Sequence, residues 1–545
     1  MAAVERVVLV GFGSVGARFA EELLPSVLDG RIHLTVIGHE DHEPYNRVLV
    51  AEYAVGHTTL DAITLPGTPE LTAAGATVHT GVTVLGIDRD QRSLTLDSGE
   101  TVPYDRLVLA TGARANVPTL DGVDRRHRDL MALEKYTHAL VGADDVLPDG
   151  ITVLRSIADA ERVRDAVRAR QRIVVLGAGV LGLEVALAAA KEGADVCVVH
   201  HGGFPMPRNL DRGSGSVLTS ALRRLGVSIV AHSRAEAVSF HTDDLAGTRT
   251  FDALITADGK KIPGDLLILS CGVTARTDLA VLAGLRTAGG VLVGTDLRSW
   301  SDDRVFAIGD CAQVTEPTEN LRTQRDVPGA PSGLIGPGWR QAEWLAAHLA
   351  AEAAGLPFVS APPVERPALV MLKADGVDVV AVGDVSVEPW DDDHHPSDGP
   401  THPVSPRRVS SWADPEHGRY VKMVTRDGIL TGFVSVGMPR TAAELTLLFE
   451  RGGELPADRS LLLRFDGPDY ADASAADAFA PTATVCWCNG VTVEKIEESA
   501  HAGNTTVTCI GKATRAGTGC GGCKGRIGEL LTRFAESDGK QELAV

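Results

Sequence analysis

The stretches RVVLVGFGSVGARFAEELL, near the start, and RIVVLGAGVLGLEVALAAA, from Arg172, carry one pattern twice. Each is a β-branched apolar run, then glycines spaced G-x-G-x-x-G, then a helical periodicity. The glycines are Gly11, Gly13 and Gly16 in the first copy and Gly177, Gly179 and Gly182 in the second. This spacing suits a strand that turns sharply into a helix, lets a pyrophosphate approach its backbone, and packs the helix closely on the sheet. A lone G-x-G-x-x-G is weak; a strand before it and a helix after it make it specific. Two copies predict an α/β chain with two Rossmann-like dinucleotide-binding units. Flavin plus nicotinamide is the usual pairing of two dinucleotides.

The second strand of each unit bears on the nucleotide. IHLTVIGHE is expected to end at Glu40, placed to accept hydrogen bonds from a ribose. Glu40 comes later than the roughly twenty residues usual after the glycines, so an extra turn is expected around Pro25 to Gly30. In the second unit the corresponding strand ends at His200 and His201 instead of an acid. The missing carboxylate removes a repulsion against a 2′-phosphate, and the two histidines with Arg208 can supply positive charge. That leans the second site toward NADPH; a ribose held by other groups is the alternative.

Composition bounds the rest. At 545 residues the chain exceeds one core. A net charge of −20 argues against nucleic acid or an anionic membrane as partner. The longest weakly polar run, from Ile173, contains Glu184 and the patterned glycines, and reads as a strand and helix, not a membrane span. No secretory signal precedes the first strand, and the cysteines are too sparse for a disulfide framework, so a reducing cytoplasm is expected.

Two further strings, YDRLVLATGARANVP with Ala110, Thr111 and Gly112, and DDRVFAIGDCAQV with Gly309 and Asp310, resemble the flavoprotein reductases with two dinucleotide-binding domains. That resemblance implies FAD on the Gly11 unit, closed over by the A-T-G turn with Asp310 at the ribityl chain, and NAD(P)H on the Gly177 unit. GHEDHEPYNRVLVAEYAVG narrows it. Tyr45-Asn46-Arg47 resembles the large subunit of assimilatory nitrite reductases and the electron-transfer subunit of assimilatory nitrate reductases, which implies Asn46 and Arg47 at the FAD. GLIGPGWRQAEWLAAHLA resembles that family's helix aimed at the flavin, its positive end near Pro337. VMLKADGVDVVAVGD and GRYVKMVTRDGILTGFVSVG resemble its third, mixed-sheet domain. By the same resemblance Glu184 lies near the nicotinamide; a packing role is its alternative. No lysine is assigned near the flavin. Cys197, Cys271 and Cys311 are solitary and expected to be buried small residues, so electrons should not leave through a protein disulfide.

The chain has eight cysteines and crowds them toward its end. After the Ala/Asp-rich DGPDYADASAADAFAPTAT, which reads as a linker, come Cys486 and Cys488, then a helical pattern, then Cys520 and Cys523 in GTGCGGC. Four thiolates suit zinc or an iron–sulfur cluster. The C-x-C and C-x-x-C arrangement resembles the small helical [2Fe–2S] domain of the bacterioferritin-associated ferredoxin type, which implies these four as cluster ligands. Cys509 is expected to pack. Lys512, Arg515, Lys524 and Arg526 around the second pair can offset cluster charge, dock an acidic partner, or simply be solvated. The run WDDDHHPSDGPTHP reads as a solvated loop, not a metal site.

These readings predict an FAD-binding domain at 1–125 and 295–352 and an NAD(P)H-binding domain at 150–294. They add a third α+β domain at 360–465, a linker at 466–484 and an all-helical [2Fe–2S] domain at 485–535, with a basic insertion at 125–149. The expected activity is hydride transfer from NAD(P)H to FAD and single-electron passage through the cluster to a partner. The first partner is a molybdenum-containing nitrate reductase catalytic subunit. A reductase component for nitrite reductase, a stand-alone NAD(P)H:ferredoxin or rubredoxin reductase, and a non-catalytic redox or iron sensor are the alternatives.

Overall fold

The structure, a computed structural model, describes residues 4–123, 147–242, 249–323, 327–358, 360–391 apart from 364–366, 368 and 375, 405–466 apart from 464 and 465, 479–486, 489–519 and 521–542. Most of the basic insertion, most of the linker, the Asp/His-rich run, Cys488 and Cys520 lie outside the described residues.

The two glycine turns open two copies of one architectural plan. The first β-branched run forms the strand Glu5–Val10, paired in parallel with Ile32–Ile37 on one side and Arg106–Leu109 on the other. These sit in an eight-stranded sheet that also takes strands from Val291 to Val314, so the chain leaves this unit and returns to it. The second run forms Arg172–Leu176 inside a parallel five-stranded sheet with Asp195–Val199, Val227–Val230, Leu266–Leu269 and Ile151–Val153. Each sheet has a three-stranded antiparallel companion, Val84–Pro103 in the first and Ala235–Pro263 in the second. A two-stranded ribbon, Ala113–Ala115 with Val273–Ala275, ties the units together beside both sites.

The expected extra turn near Pro25 takes the form of helix. Ser14–Leu28 runs through Pro25 and stops at Asp29, with Gly30 in the left-handed region. Pro25 removes the N–H that would bond the Glu21 carbonyl, and the helix nonetheless continues to Leu28, so the added residues lengthen the helix. The strand carrying Glu40 ends earlier than expected, at Ile37.

Beyond these units, five antiparallel strands between Val370 and Val436 form a sheet with the helix Pro439–Arg451 packed on it. This body packs on the helices Val180–Lys191 and Arg212–Arg224 of the second unit. One buried ion pair pins that junction. Asp211 caps the helix Arg212–Arg224 by accepting from the Ser214 N–H at 2.9 Å, and it accepts from Tyr420 at 2.6 Å and from Lys422 at 2.9 Å. Burial pushes the Asp211 carboxyl up, but these hydrogen bonds prevail and hold it below its ordinary value.

Its stabilising effect is therefore present above the ordinary carboxylate range, near pH 4, and is lost as pH falls through the lowered folded-state value. Lys422→Met should leave Asp211 charged and unpaired, at a cost of about 3–5 kcal/mol. Thermal unfolding at neutral pH should show a clear drop that adding Asp211→Asn partly reverses. A melting temperature unchanged by Lys422→Met would contradict this account.

The C-terminal residues form a small separate core around Ile496, Ile510, Ile527 and Leu530. Three helices, Val493–His501, Val507–Thr514 and Lys524–Glu542, make most of it. It is not wholly helical, because Thr484–Cys486 pairs with Val491–Thr492 as a ribbon that carries Cys486. Gly490, in the left-handed region, precedes the second strand of this ribbon.

Candidate cofactor and cluster sites

Gly11 has a φ of +110°, and a Cβ there would meet the Ala110 carbonyl oxygen at 2.2 Å. Gly16 would meet the Gly11 carbonyl oxygen at 2.1 Å, so it is the close-packing glycine, whereas Gly13 faces open space. The turn opens on a cavity of about 280 Å³. Gly11, Gly13, Glu40, Arg47, Ala110, Thr111 and Gly112 line it. Asp310 stands one contact behind the wall, 2.9 Å from the Arg155 guanidinium, on the short turn Gly309–Cys311 that the helix Ile335–Ala353 holds through Gln341.

Charge in this cavity is paired and directional. Arg47 bonds to Glu40 and donates to the Arg155 carbonyl at 3.0 Å, while Tyr45 donates to Glu40 at 2.9 Å. Burial pushes the Glu40 carboxyl up, yet Arg47 and Tyr45 hold it below the usual carboxylate range, so it stays an acceptor. The cavity wall also includes Arg114, Arg155 and Arg276. The buried Nε of Arg155 has no acceptor within the protein. Carboxylates offset these arginines in the wall, Glu40 against Arg47 and Asp278 against Arg114, so the fit to a dinucleotide such as FAD rests on the unmet Arg155 donor and on a backbone cradle that a Cβ would fill. Sequence reasoning missed Arg114, Arg155 and Arg276. Arg114 follows the A-T-G turn by two residues and could have been read from it, whereas no motif marks Arg155 or Arg276, and Arg276 reaches the cavity beside the Ala113–Ala115 and Val273–Ala275 ribbon.

The second cradle repeats the first. Gly177 has a φ of +117°, and its Cβ would lie 2.1 Å from the Ser270 carbonyl oxygen; Gly182 would meet the Gly177 carbonyl oxygen at 2.4 Å, and Gly179 is open. These residues fit a second dinucleotide. Glu184 is half-buried on the helix Val180–Lys191 that the cradle starts. His200, at the end of its strand, is buried, and burial together with His201 and His232 pushes its imidazole down. It is therefore neutral at pH 7. His201 and Arg208 are exposed, which leaves them, and not His200, as the groups able to meet a 2′-phosphate.

Cys486 and Cys523 are buried beside each other, the Cys523 thiol hydrogen-bonding the Cys486 sulfur. That bond, with the Gly517 and Asn489 N–H groups and the Asn489 side chain, brings the Cys486 thiol down to about 6 despite burial. A buried sulfur that favours the thiolate, ringed by backbone donors, fits an iron–sulfur ligand. Gly517 and Gly521 turn the chain through the left-handed region on either side of Cys520. Three cysteines outside this domain differ: Cys311 is buried as expected, but Cys197 and Cys271 are only half-buried, and desolvation pushes those two up to about 11 and raises Cys311 as well. All the described cysteines are free thiols.

Asn46 takes a place the sequence did not suggest. It is not in the cavity wall; its side-chain amide donates to the carbonyls of Thr518 and Gly519, just before Cys520. The cluster loop thus rests directly on the turn that supplies Tyr45 and Arg47 to the flavin-type cavity.

Two repeated cradles, an arginine-bearing cavity at the first of them and a buried cysteine pair in the domain that rests on its wall fit a two-nucleotide flavoprotein oxidoreductase with an attached iron–sulfur domain. Residues 5–327 match the pyridine nucleotide-disulphide oxidoreductases and residues 484–533 match the BFD-like [2Fe-2S] binding domain. The chain belongs to the pyridine nucleotide-disulphide oxidoreductase family. With that family come FAD and NAD(P)H, and with the BFD-like domain a [2Fe–2S] cluster.

The chain is 27% identical to the assimilatory nitrate reductase electron transfer subunit of Bacillus subtilis (strain 168), over 98% of its own length and 60% of that protein. It is 26% identical to a nitrite reductase [NAD(P)H] of the same organism, over 98% and 58%. Putidaredoxin reductase CamA of Pseudomonas putida is 30% identical over 57% of this chain and 68% of that one. The chain thus spans about 60% of the first two relatives. In fold it resembles the covalent putidaredoxin reductase–putidaredoxin complex, with a TM-score of 0.65 and 22% identity over 84% of this chain and 96% of that one. Among the described residues no helix is long and apolar enough to cross a membrane.

Proposed function

We propose that this chain passes electrons from NAD(P)H, through FAD and a [2Fe–2S] cluster, to a partner protein. The first-choice partner is the molybdenum-containing catalytic subunit of an assimilatory nitrate reductase. The observation that carries the reading is adjacency: the loop leading into Cys520 rests on Asn46, whose neighbours Tyr45 and Arg47 line the cavity. When bound, FAD and the cluster supply conversion between a two-electron donor and a one-electron outlet.

The protein's part is placement. Gly11, Gly13, Ala110, Thr111 and Gly112 offer backbone to FAD; Glu40, Arg47 and Asp310, with Arg155, orient it. Gly177, Gly179, Gly182 and Glu184 seat NAD(P)H, and Cys486, Cys488, Cys520 and Cys523 hold the cluster. The burial of Cys486 and Cys523 side by side, with backbone N–H groups directed at the Cys486 sulfur, supports a metal outlet. A cytoplasmic setting, where free thiols persist, accords with this.

The likeness to a nitrite reductase over nearly the whole chain favours, as a second reading, a reductase module for nitrite reduction. The test is to mix the loaded protein with a purified molybdenum subunit, supply NAD(P)H anaerobically and measure nitrite formed from nitrate. Sustained nitrite formation supports the first reading. Many-turnover dye reduction without it shifts the partner, and no dye turnover sinks the enzyme reading in favour of a sensor.

Nucleotide choice gives a separate expectation. Because His200 is buried while Arg208 and His201 are exposed, the latter two carry the preference for a 2′-phosphate. Arg208→Glu should raise the KM for NADPH about tenfold, some 1.4 kcal/mol, and leave the KM for NADH within twofold. Equal changes for both nucleotides would refute that assignment.

A further inference from the structure

The flavin unit and the cluster domain meet through residues that also belong to the two sites. Asn46 is 1% exposed. Its Oδ1 accepts the Val48 N–H at 3.1 Å and caps the short turn Arg47–Leu49, while its Nδ2 donates to the Thr518 and Gly519 carbonyls. Only an amide provides an acceptor for its own turn and donors for two facing carbonyls. Contact continues past Cys520, where a Cβ on Gly521 would lie 3.5 Å from Leu49 Cδ2.

Arg515 makes the second link. It ends the helix Val507–Thr514 at a φ of +65°. Its carbonyl accepts from Asn489 Nδ2 at 2.7 Å and Thr518 Oγ1 at 2.8 Å, and the same Asn489 amide lies 3.7 Å from the Cys486 sulfur. Its guanidinium crosses to the helix Ser14–Leu28, 3.0 Å from Glu21 and 2.9 Å from Glu22, with Glu343 at 4.0 Å. Arg18, paired with Glu22 and Glu343 and set over the Trp339 ring, organises these carboxylates from the flavin side. The backbone of Arg515 is thus tied to the cluster loop and its side chain to the flavin unit.

We propose that Asn46 and Arg515 are positioning residues, a two-point clamp that seats the chain's own cluster domain on the flavin unit and sets the gap between the two redox sites. The occupant of the acidic face made by Glu21, Glu22 and Glu343 is the basic edge of the C-terminal domain, which complements it in charge. The proposal rests on the electron path put forward above. The ion pairs at Arg515 are about a third exposed, so salt screens that half of the clamp. The buried Asn46 amide is not screened.

The test is anaerobic stopped-flow of the loaded full chain with NAD(P)H, following flavin reduction and then cluster reduction as separate phases. In the wild type the second phase should slow as ionic strength rises. Arg515→Glu should slow it at least about tenfold at low salt and leave the first phase and the iron content unchanged; Arg515→Glu with Glu22→Arg should restore it. Asn46→Asp, which keeps the acceptor and removes the donors, should slow the second phase in protein that retains FAD. Loss of FAD with an unchanged second-phase rate in the remaining loaded protein would instead make Asn46 a flavin ligand and overturn the clamp.

Docking is read independently of turnover in Arg515→Lys protein. A zero-length carbodiimide should join its amine to Glu21 or Glu22, with the joined peptide disappearing in high salt. No such peptide, or a second phase indifferent to Arg515→Glu, overturns the proposal. A wild type whose cluster is never reduced after its flavin overturns the electron path itself, so the two failures are distinct.

Discussion

Replacing Gly177 by valine is expected to abolish productive use of NAD(P)H and leave the flavin in place. At a φ of +117° a β-branched residue is strongly disfavoured, and the new Cβ would sit 2.1 Å from the Ser270 carbonyl oxygen. The turn must move, and with it the backbone that approaches the pyrophosphate. A loss of about 2.8 kcal/mol, or a hundredfold rise in KM, is the expected scale. The flavin cradle belongs to a different sheet, so FAD content should hold and dithionite should still reduce the flavin. Stopped-flow flavin bleaching with NADH and NADPH measures the effect; a KM within threefold of wild type for both would show that the second cradle is not the nucleotide seat.

The second large effect is expected at the outlet. Cys523→Ser removes a buried sulfur that hydrogen-bonds Cys486 and helps lower it to about 6. An alcohol neither ionises in this range nor suits iron as thiolate does. The purified variant should lose iron and acid-labile sulfide together with its visible cluster absorption. Flavin reduction by NAD(P)H should persist, since Cys523 belongs to a separate hydrophobic core and to neither glycine cradle. Electron delivery to a protein acceptor should fall by at least about a hundredfold. Coupled activity at wild-type rate with the cluster gone would show that electrons bypass it.

The glycine turns were legible because their requirement is local: a positive φ and a carbonyl oxygen where a Cβ would stand leave no other residue. The strands were legible as β-branched runs, and the C-terminal cysteine pairs as thiols too regularly spaced for packing. Arg155 and Arg276 were not legible, since their neighbours in sequence carry no motif and they reach the cavity by the fold of other segments. His200 shows a related limit. Its position at a strand end was readable, but its burial, which takes away its positive charge, is a property of what packs over it.

Asn46 makes the division clearest. The resemblance carried by Tyr45-Asn46-Arg47 implied a flavin contact for Asn46 as for Arg47. Successive side chains on such a turn point in different directions, however, and Asn46 faces Thr518 and Gly519, which lie far away in sequence. Sequence alone determined the class of cofactors and the two glycine turns, since a positive φ and a carbonyl oxygen where a Cβ would stand leave their mark within a few residues. Only the tertiary structure decided which side chains surround the flavin cavity and how the cluster domain seats against it, because those contacts join segments that no local constraint relates.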